Sequence, residues 1–247
     1  MTSLALALRY LTIAPIPAGA NVEPTTLGRA APWFPLIGGA LGLIVAGGER
    51  VMGIIFPTLL DALLAVTLWK LLTGGLHLDG LADCLDGLVG RDAGDRLRIM
   101  RDSRIGAFGA IGLILLLLLE VAAVSEVAPS TRWRAFAAAP ALARAMPPLV
   151  AWLFPPATPL GQGAMFRSGL TRGRVVAAGA LGCAIAVAAL GLAGLVVCVL
   201  VVPASLGVGR FFTGRLGGVT GDVLGAVIET SELIALLTVV AWTNGPR

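Results

Sequence analysis

The sequence predicts an all-α fold, a polytopic bundle of about seven transmembrane helices forming one membrane-embedded domain over residues 1–247. Three observations carry that expectation. Hydrophobic residues make up 57% of the chain and charged ones only 13%, and the mean hydropathy is +0.92, too apolar for a chain surrounded by water. Several apolar runs approach the roughly 20 helical residues that cross a bilayer. Arginines gather in alternate connectors, as the positive-inside rule requires.

In chain order, the apolar runs place spans at Trp33 to Phe56, Leu59 to Thr73, Ile105 to Val124, Ala135 to Phe154, Val175 to Leu192, Ala193 to Val208 and Val223 to Trp242. The second is short and holds Lys70. The fifth and sixth form one apolar stretch, divided here at Gly191 to Gly194, with a single long helix as the alternative. The first 32 residues carry Pro15, Pro17 and Pro24 and hold either a membrane-surface helix from Leu4 to Ile13 or a short eighth span. Arg9 interrupts the first apolar stretch and no small-residue cleavage site follows, so no removable signal peptide is expected.

Seven spans put Arg9, Arg29, Arg167, Arg172, Arg174, Arg210, Arg215 and the arginines between Arg91 and Arg104 on one side. The other side keeps little beyond Arg132, Arg134 and Arg247. The expectation is a multi-pass protein of the cytoplasmic (inner) membrane, with its amino terminus and the segment at about 75–106 facing the cytoplasm. A net charge of +4 suits anionic headgroups of the lipid bilayer and anionic substrates. Nucleic acid is not an expected partner, because no soluble basic region with interleaved aromatics is present.

Within that segment, Asp79, Asp83 and Asp86 stand at i, i+4 and i+7, so a helix gathers them within an arc of roughly 60°. Leu81, Leu85 and Leu88 repeat the spacing on a second stripe. Like charges on one helix face repel unless a cation or arginines hold them. The bland reading is a solvated helix face, but no opposing charge stands at i+4 within the cluster. Carboxylates for a hard metal such as Mg²⁺, followed by Arg91, Arg96, Arg98, Arg101 and Arg104, point to a site for a phosphate-bearing substrate. Asp102, between Arg101 and Arg104, reads as a further ligand or base. An arginine anchor for the third span would not call for it.

His77, the sole histidine, either satisfies a helix end or serves as proton acceptor or substrate contact beside the metal. Asp222 and Glu229, seven residues apart, share a helix face and are expected to reach the same cavity. Glu120 and Arg144 are expected to form a structural ion pair within the membrane. Gly38, Gly42, Gly109 and Gly112 read as packing positions, whereas Gly161, Gly163, Gly217, Gly218 and Gly221 lie in polar connectors whose amides suit phosphate. Cys84, Cys183 and Cys198 form neither a zinc spacing nor a disulfide framework.

The run Gly75-Leu76-His77-Leu78-Asp79-Gly80-Leu81-Ala82-Asp83 with Asp86-Gly87, the run Met100-Arg101-Asp102-Ser103-Arg104-Ile105-Gly106, and Gly217-Gly218-Val219-Thr220-Gly221-Asp222 together resemble the cobalamin synthase (adenosylcobinamide-GDP ribazoletransferase) family. The likeness extends from Leu11-Thr12 to Glu232. Cys84-Leu85 occupies the spacer between aspartates, and Ile13-Ala14 departs from the polar end of the family's opening motif. The resemblance implies joining of adenosylcobinamide-GDP to α-ribazole or its 5′-phosphate with release of GMP, and Mg²⁺ as cofactor. Asp83-x2-Asp86-Gly87-x2-Gly90-Arg91 is also similar to the opening of the CDP-alcohol phosphotransferase signature, although Gly90 replaces an alanine and the downstream positions do not align.

From these lines, Asp79, Asp83, Asp86 and Asp102 are the expected metal ligands. His77, Asp83 and Asp102 are the expected catalytic groups, and Arg91, Arg101, Arg104, Gly221, Asp222 and Glu229 the expected substrate or phosphate contacts. A homo-oligomer or a complex with other cobalamin-pathway proteins is an expected form of assembly. The competing readings are a CDP-alcohol phosphotransferase-like lipid enzyme and an ion or solute transporter. The latter would need carboxylates amid broken spans and repeated halves, and no repeated half is evident.

Overall fold

The computed structural model describes residues 2–16 and 26–245, so Pro17, Pro24 and Arg247 lie outside it. The described residues are helical apart from short connectors, with one isolated bridge between Pro156 and Val219. Helix α1 (Ser3–Leu11) is capped by the Thr2 hydroxyl, which accepts from Ala5 N at 3.3 Å, and buries Leu6, Ala7 and Leu11. Its 9 residues reach only about 14 Å, too short to cross a bilayer. The amino-terminal segment therefore supplies no eighth span. A single turn, α2 (Thr26–Arg29), follows.

Seven long helices follow the predicted spans: α3 (Phe34–Met52), α4 (Thr58–Leu72), α7 (Ala107–Glu126), α8 (Pro129–Leu153), α10 (Arg172–Leu190), α11 (Leu192–Leu216) and α12 (Gly221–Asn244). Six are long and apolar enough to cross a membrane alone. The seventh candidate is α4 taken with α5 (Leu76–Gly87), to which it is joined at a bend of 90°. Two short helices, α6 (Ala93–Ile99) and α9 (Gln162–Ser168), lie in connectors on the arginine-rich side. On the opposite side the links are residues 53–57, Val127–Ala128 and Gly191.

The stretch from Val175 to Val208 is two helices, broken where Gly191 takes φ 61°. Only glycine enters that region without steric cost, so an alternative long helix is ruled out by one residue. Helix α11 then runs eight residues past the predicted Val208, carrying Arg210 and Arg215 beyond the apolar stretch. Helix α8 likewise starts six residues early, at Pro129, because a proline at the first helical position loses no hydrogen bond.

Helix α8 is the centre of the bundle, packed by α3, α10 and α12. In its run from Ala135 to Ala145 seven of the eleven residues are alanine, which lets neighbouring backbones approach. Gly38 and Gly42 of α3 answer it: a Cβ on either would overlap the carbonyl of Pro140 or Phe136. The packing reading of these glycines holds, and so does that of Gly109 and Gly112, which lie against Asp86 and Leu85 of α5.

Candidate active site

Helix α4 ends at Thr73, and Gly74 (φ 65°) and Gly75 (φ 67°) then turn the chain through consecutive left-handed residues. That turn sends α5 across the ends of α7 and α12 instead of onward along α4. Leu81 is buried, and Leu85 and Leu88 pack against the same apolar cluster, so the leucine stripe faces inward as its spacing predicted. Gly80 meets α12 backbone to backbone, where a Cβ would stand 2.9 Å from Asp222 Cα.

Asp79 and Asp83 open onto a cavity of about 570 Å³ whose far wall is Met100, Arg101, Asp102, Ser103 and Arg104. Among the described residues no lysine or arginine pairs with either carboxylate. Asp102 is held differently. Arg104 grips it through Nε (3.0 Å) and an Nη (2.7 Å), and its own backbone amide donates to Asp102 Oδ1 at 3.1 Å. Those bonds hold the Asp102 carboxyl at a pKa of about 2. Such a group is a permanent anion at neutral pH and a poor proton acceptor.

Asp86 departs from its two neighbours. Its oxygens accept from Gly106 N (2.7 Å) and Gly109 N (2.8 Å), satisfying amides that the first turn of α7 leaves free. It is buried and does not line the cavity. Asp222, on α12, lines the neighbouring small cavity and not this one. The Thr220 hydroxyl orients Asp222 Oδ2 at 3.2 Å and accepts from Val223 N at 3.2 Å.

The arginines divide in the same way. Arg101 and Arg104 line the cavity. Arg91 is exposed, and its backbone amide donates to Asp95. Arg96 reaches the carbonyl of Arg215 at 3.1 Å, and Arg98 pairs with Asp95 at 2.6 Å. Hydrogen bonds from Arg98 and the Arg91 amide lower the Asp95 pKa below the usual carboxylate value.

His77 faces away from Asp79 and Asp83. It is buried beside a small second cavity of about 30 Å³ that Tyr10, Gln162, Gly221 and Asp222 also line, and among the described residues neither ring nitrogen has a hydrogen-bond partner. Gly163 and Gly218 are packing positions: Gly163 meets the Val219 carbonyl and Gly218 the backbone of residues 155–157. Gly221 lies against the side chain of Gln162.

Glu229 does not reach the carboxylate cavity. It belongs to a cluster buried in mid-bundle, where Lys70 Nζ donates to Glu229 (2.6 Å), Glu120 (2.9 Å) and Glu232 (3.0 Å). Arg144 pairs with the other oxygen of Glu232. The expected Glu120–Arg144 pair is therefore corrected: each ion has a different partner, because α12 stands between α7 and α8. A second buried group, Arg132 with Glu49 (2.8 Å) and Asp61 (2.9 Å), ties α3, α4 and α8 at the opposite end. Arg132, expected among the few charges of the opposite side, lies inside α8 and is buried. The intrahelical position of Asp61 and Glu49 was the available signal.

An all-α bundle with six or seven helices able to span a membrane, and a cavity of carboxylates and arginines at one side, defines a multi-pass membrane protein. The chain belongs to the family described as cobalamin-5-phosphate synthase, whose model matches residues 3–240. It is similar to an adenosylcobinamide-GDP ribazoletransferase of Roseiflexus sp. (strain RS-1), 36% identical over 94% of this chain and 87% of that one. A protein of the same description from Geotalea daltonii is 36% identical over 96% of both chains. One from Ralstonia nicotianae is 39% identical over 98% of this chain and 96% of its own. No solved structure matches.

Proposed function

We propose that this chain joins adenosylcobinamide-GDP to α-ribazole, or to ribazole 5′-phosphate, and releases GMP. Near-full-length similarity to ribazoletransferases supports the reading, and the cavity lined by unpaired Asp79 and Asp83 opposite Arg101 and Arg104 carries it. A diphosphate is a dense anion. A site for it needs cationic donors on one wall and a means of binding a divalent ion on the other.

The residues present fit magnesium. Asp79 and Asp83 have oxygens committed to no other cation, and Asp102 stands ionised on the facing wall. Magnesium, bound by Asp79 and Asp83 with Asp102 as a further oxygen donor, would neutralise the diphosphate and the departing phosphate oxygen. Asp86 orients α7 through the Gly106 and Gly109 amides and so fixes the end of the arginine segment. Arg101 and Arg104 clamp phosphate oxygens, Arg104 being pre-aimed by Asp102.

The ribazole hydroxyl attacks the phosphorus joined to cobinamide. The bond from that phosphorus to the bridging oxygen breaks, and GMP leaves. The hydroxyl proton passes to a carboxylate of the Asp79–Asp83 pair, because His77 lies across α5 in the other cavity and Asp102 is held too acidic. The protein lies in the cytoplasmic membrane with this cavity toward the cytoplasm, following the arginine bias. In detergent or liposomes, GMP release from adenosylcobinamide-GDP should require both α-ribazole and Mg²⁺. Release that ignores the acceptor, or metal-driven solute flux without release, overturns the assignment.

A further inference from the structure

A second, apolar groove of about 430 Å³ lies between α4 and α7, lined by Leu63, Val66, Leu71, Leu78, Leu117 and Val121. It shares Gly74, Gly75 and Leu78 with the carboxylate cavity, so the two are continuous through the left-handed turn. No heavy atom lies within 4 Å of where a Cβ of Gly75 would stand. The turn is open on the Gly75 side, whereas a Cβ on Gly74 would meet the Ile13 side chain at 2.8 Å.

Two polar side chains reach the groove, and both have spent their donors. Lys70 Nζ gives its three hydrogens to Glu120, Glu229 and Glu232, and the Thr67 hydroxyl donates to the Leu63 carbonyl at 2.7 Å. The Gly74 and Gly75 amides are used by Leu71 and Lys70 carbonyls. A guanine placed here would leave its carbonyl without a donor, and a corrin rimmed with amides would leave many groups unpaired. A flat, weakly polar bicycle without N–H groups, with a single ring nitrogen as acceptor, would leave far fewer groups unpaired.

We infer that this groove is the subsite for the base of the nucleoside acceptor, resting on the transferase reading above. The base of α-ribazole is a dimethylated benzimidazole, which matches the lining in polarity and for which the groove has ample room. With the base between α4 and α7, the attached ribose emerges past Gly75 at the mouth of the Asp79–Asp83 cavity, where its hydroxyl is needed. The groove thus selects the acceptor, and the arginine wall selects the donor.

Steady-state kinetics of the full chain in nanodiscs tests this. Val121→Trp, which narrows the groove, should raise KM for α-ribazole by about tenfold or more while KM for adenosylcobinamide-GDP changes by less than about twofold. With the unaltered protein, an acceptor whose base lacks the methyl groups should lose about fourfold in kcat/KM per methyl; this arm stands even where the tryptophan variant fails to fold. Acceptor KM unmoved by Val121→Trp, or methyl groups without effect, overturns the subsite while leaving the transferase intact. Loss of co-purified phospholipid with unmoved acceptor KM assigns the groove to an acyl chain instead. Absence of acceptor-dependent GMP release from the unaltered protein removes both readings together.

Discussion

Two regions of this molecule gather carboxylates and basic groups, and they differ in how far the charges are matched. In mid-bundle, Lys70 sits among Glu120, Glu229 and Glu232 while Arg144 takes the remaining oxygen of Glu232, all of them buried. At the cavity, Asp79 and Asp83 have no cationic partner among the described residues, and the ion pair on the facing wall, Asp102–Arg104, is exposed. Burial makes an unmatched charge expensive, so the interior cluster must be closed among its own members. A half-solvated site can keep charges open for something that arrives from outside. Pairing, more than residue type, separates the charges that hold the bundle together from those available for chemistry.

The sharpest way to break this contrast is at the interior cluster. Lys70→Met leaves three buried carboxylates facing one another and should destabilise the protein by about 3–5 kcal/mol, read as loss of folded protein in a detergent denaturation series. Adding Glu120→Gln to it should recover part of that loss, and a neutral outcome for Lys70→Met would mean that the cluster is not a closed network. Asp83→Asn should do the reverse, lowering GMP release by roughly 100-fold or more with an unchanged melting profile. Wild-type turnover in that variant would remove Asp83 from the site.

Asp86 lies between these extremes, and Asp86→Ala sharpens the distinction. Losing the acceptor for the Gly106 and Gly109 amides should cost about 0.5–2 kcal/mol and reduce activity less than Asp83→Asn does. An activity loss equal to that of Asp83→Asn would make Asp86 a direct participant. Arg91→Ala, in an exposed arginine outside the cavity, should change activity by less than about twofold, against a much larger loss for Arg104→Ala in the same assay.

The smallest expected effect concerns pH. The folded pKa of Asp102, about 2, lies below its usual value, so the stabilisation from its pairing is present above about pH 4 and is lost as pH falls through 2. Asp102→Asn should therefore leave the shape of the pH–activity profile unchanged between about pH 5 and 9, whatever it does to the rate. A shifted acidic limb would show that Asp102 titrates during turnover.

Much of this was legible in the chain itself. Hydropathy located all seven spans, because each helix must cover its own backbone polar groups in lipid and so stands out as a long apolar run. The i, i+4, i+7 spacing of Asp79, Asp83 and Asp86 placed them on one helix as expected. Their division was not legible: periodicity reports the face of a helix but not which neighbour it meets, and the start of α7 at Gly106 is what draws Asp86 away. The same blindness paired Glu120 with Arg144 and put Glu229 in the cavity. Choosing partners among buried charges needs the order of helices around α8, which no local pattern encodes.

Two of the three links on the side opposite the cavity are the briefest between spans, Val127–Ala128 and the single residue Gly191 between α10 and α11. The long connectors, with α6, α9 and the carboxylate cavity, therefore gather on one margin of the bundle, while the opposite margin keeps a polar recess of its own beside Glu49, Asp61 and Arg132.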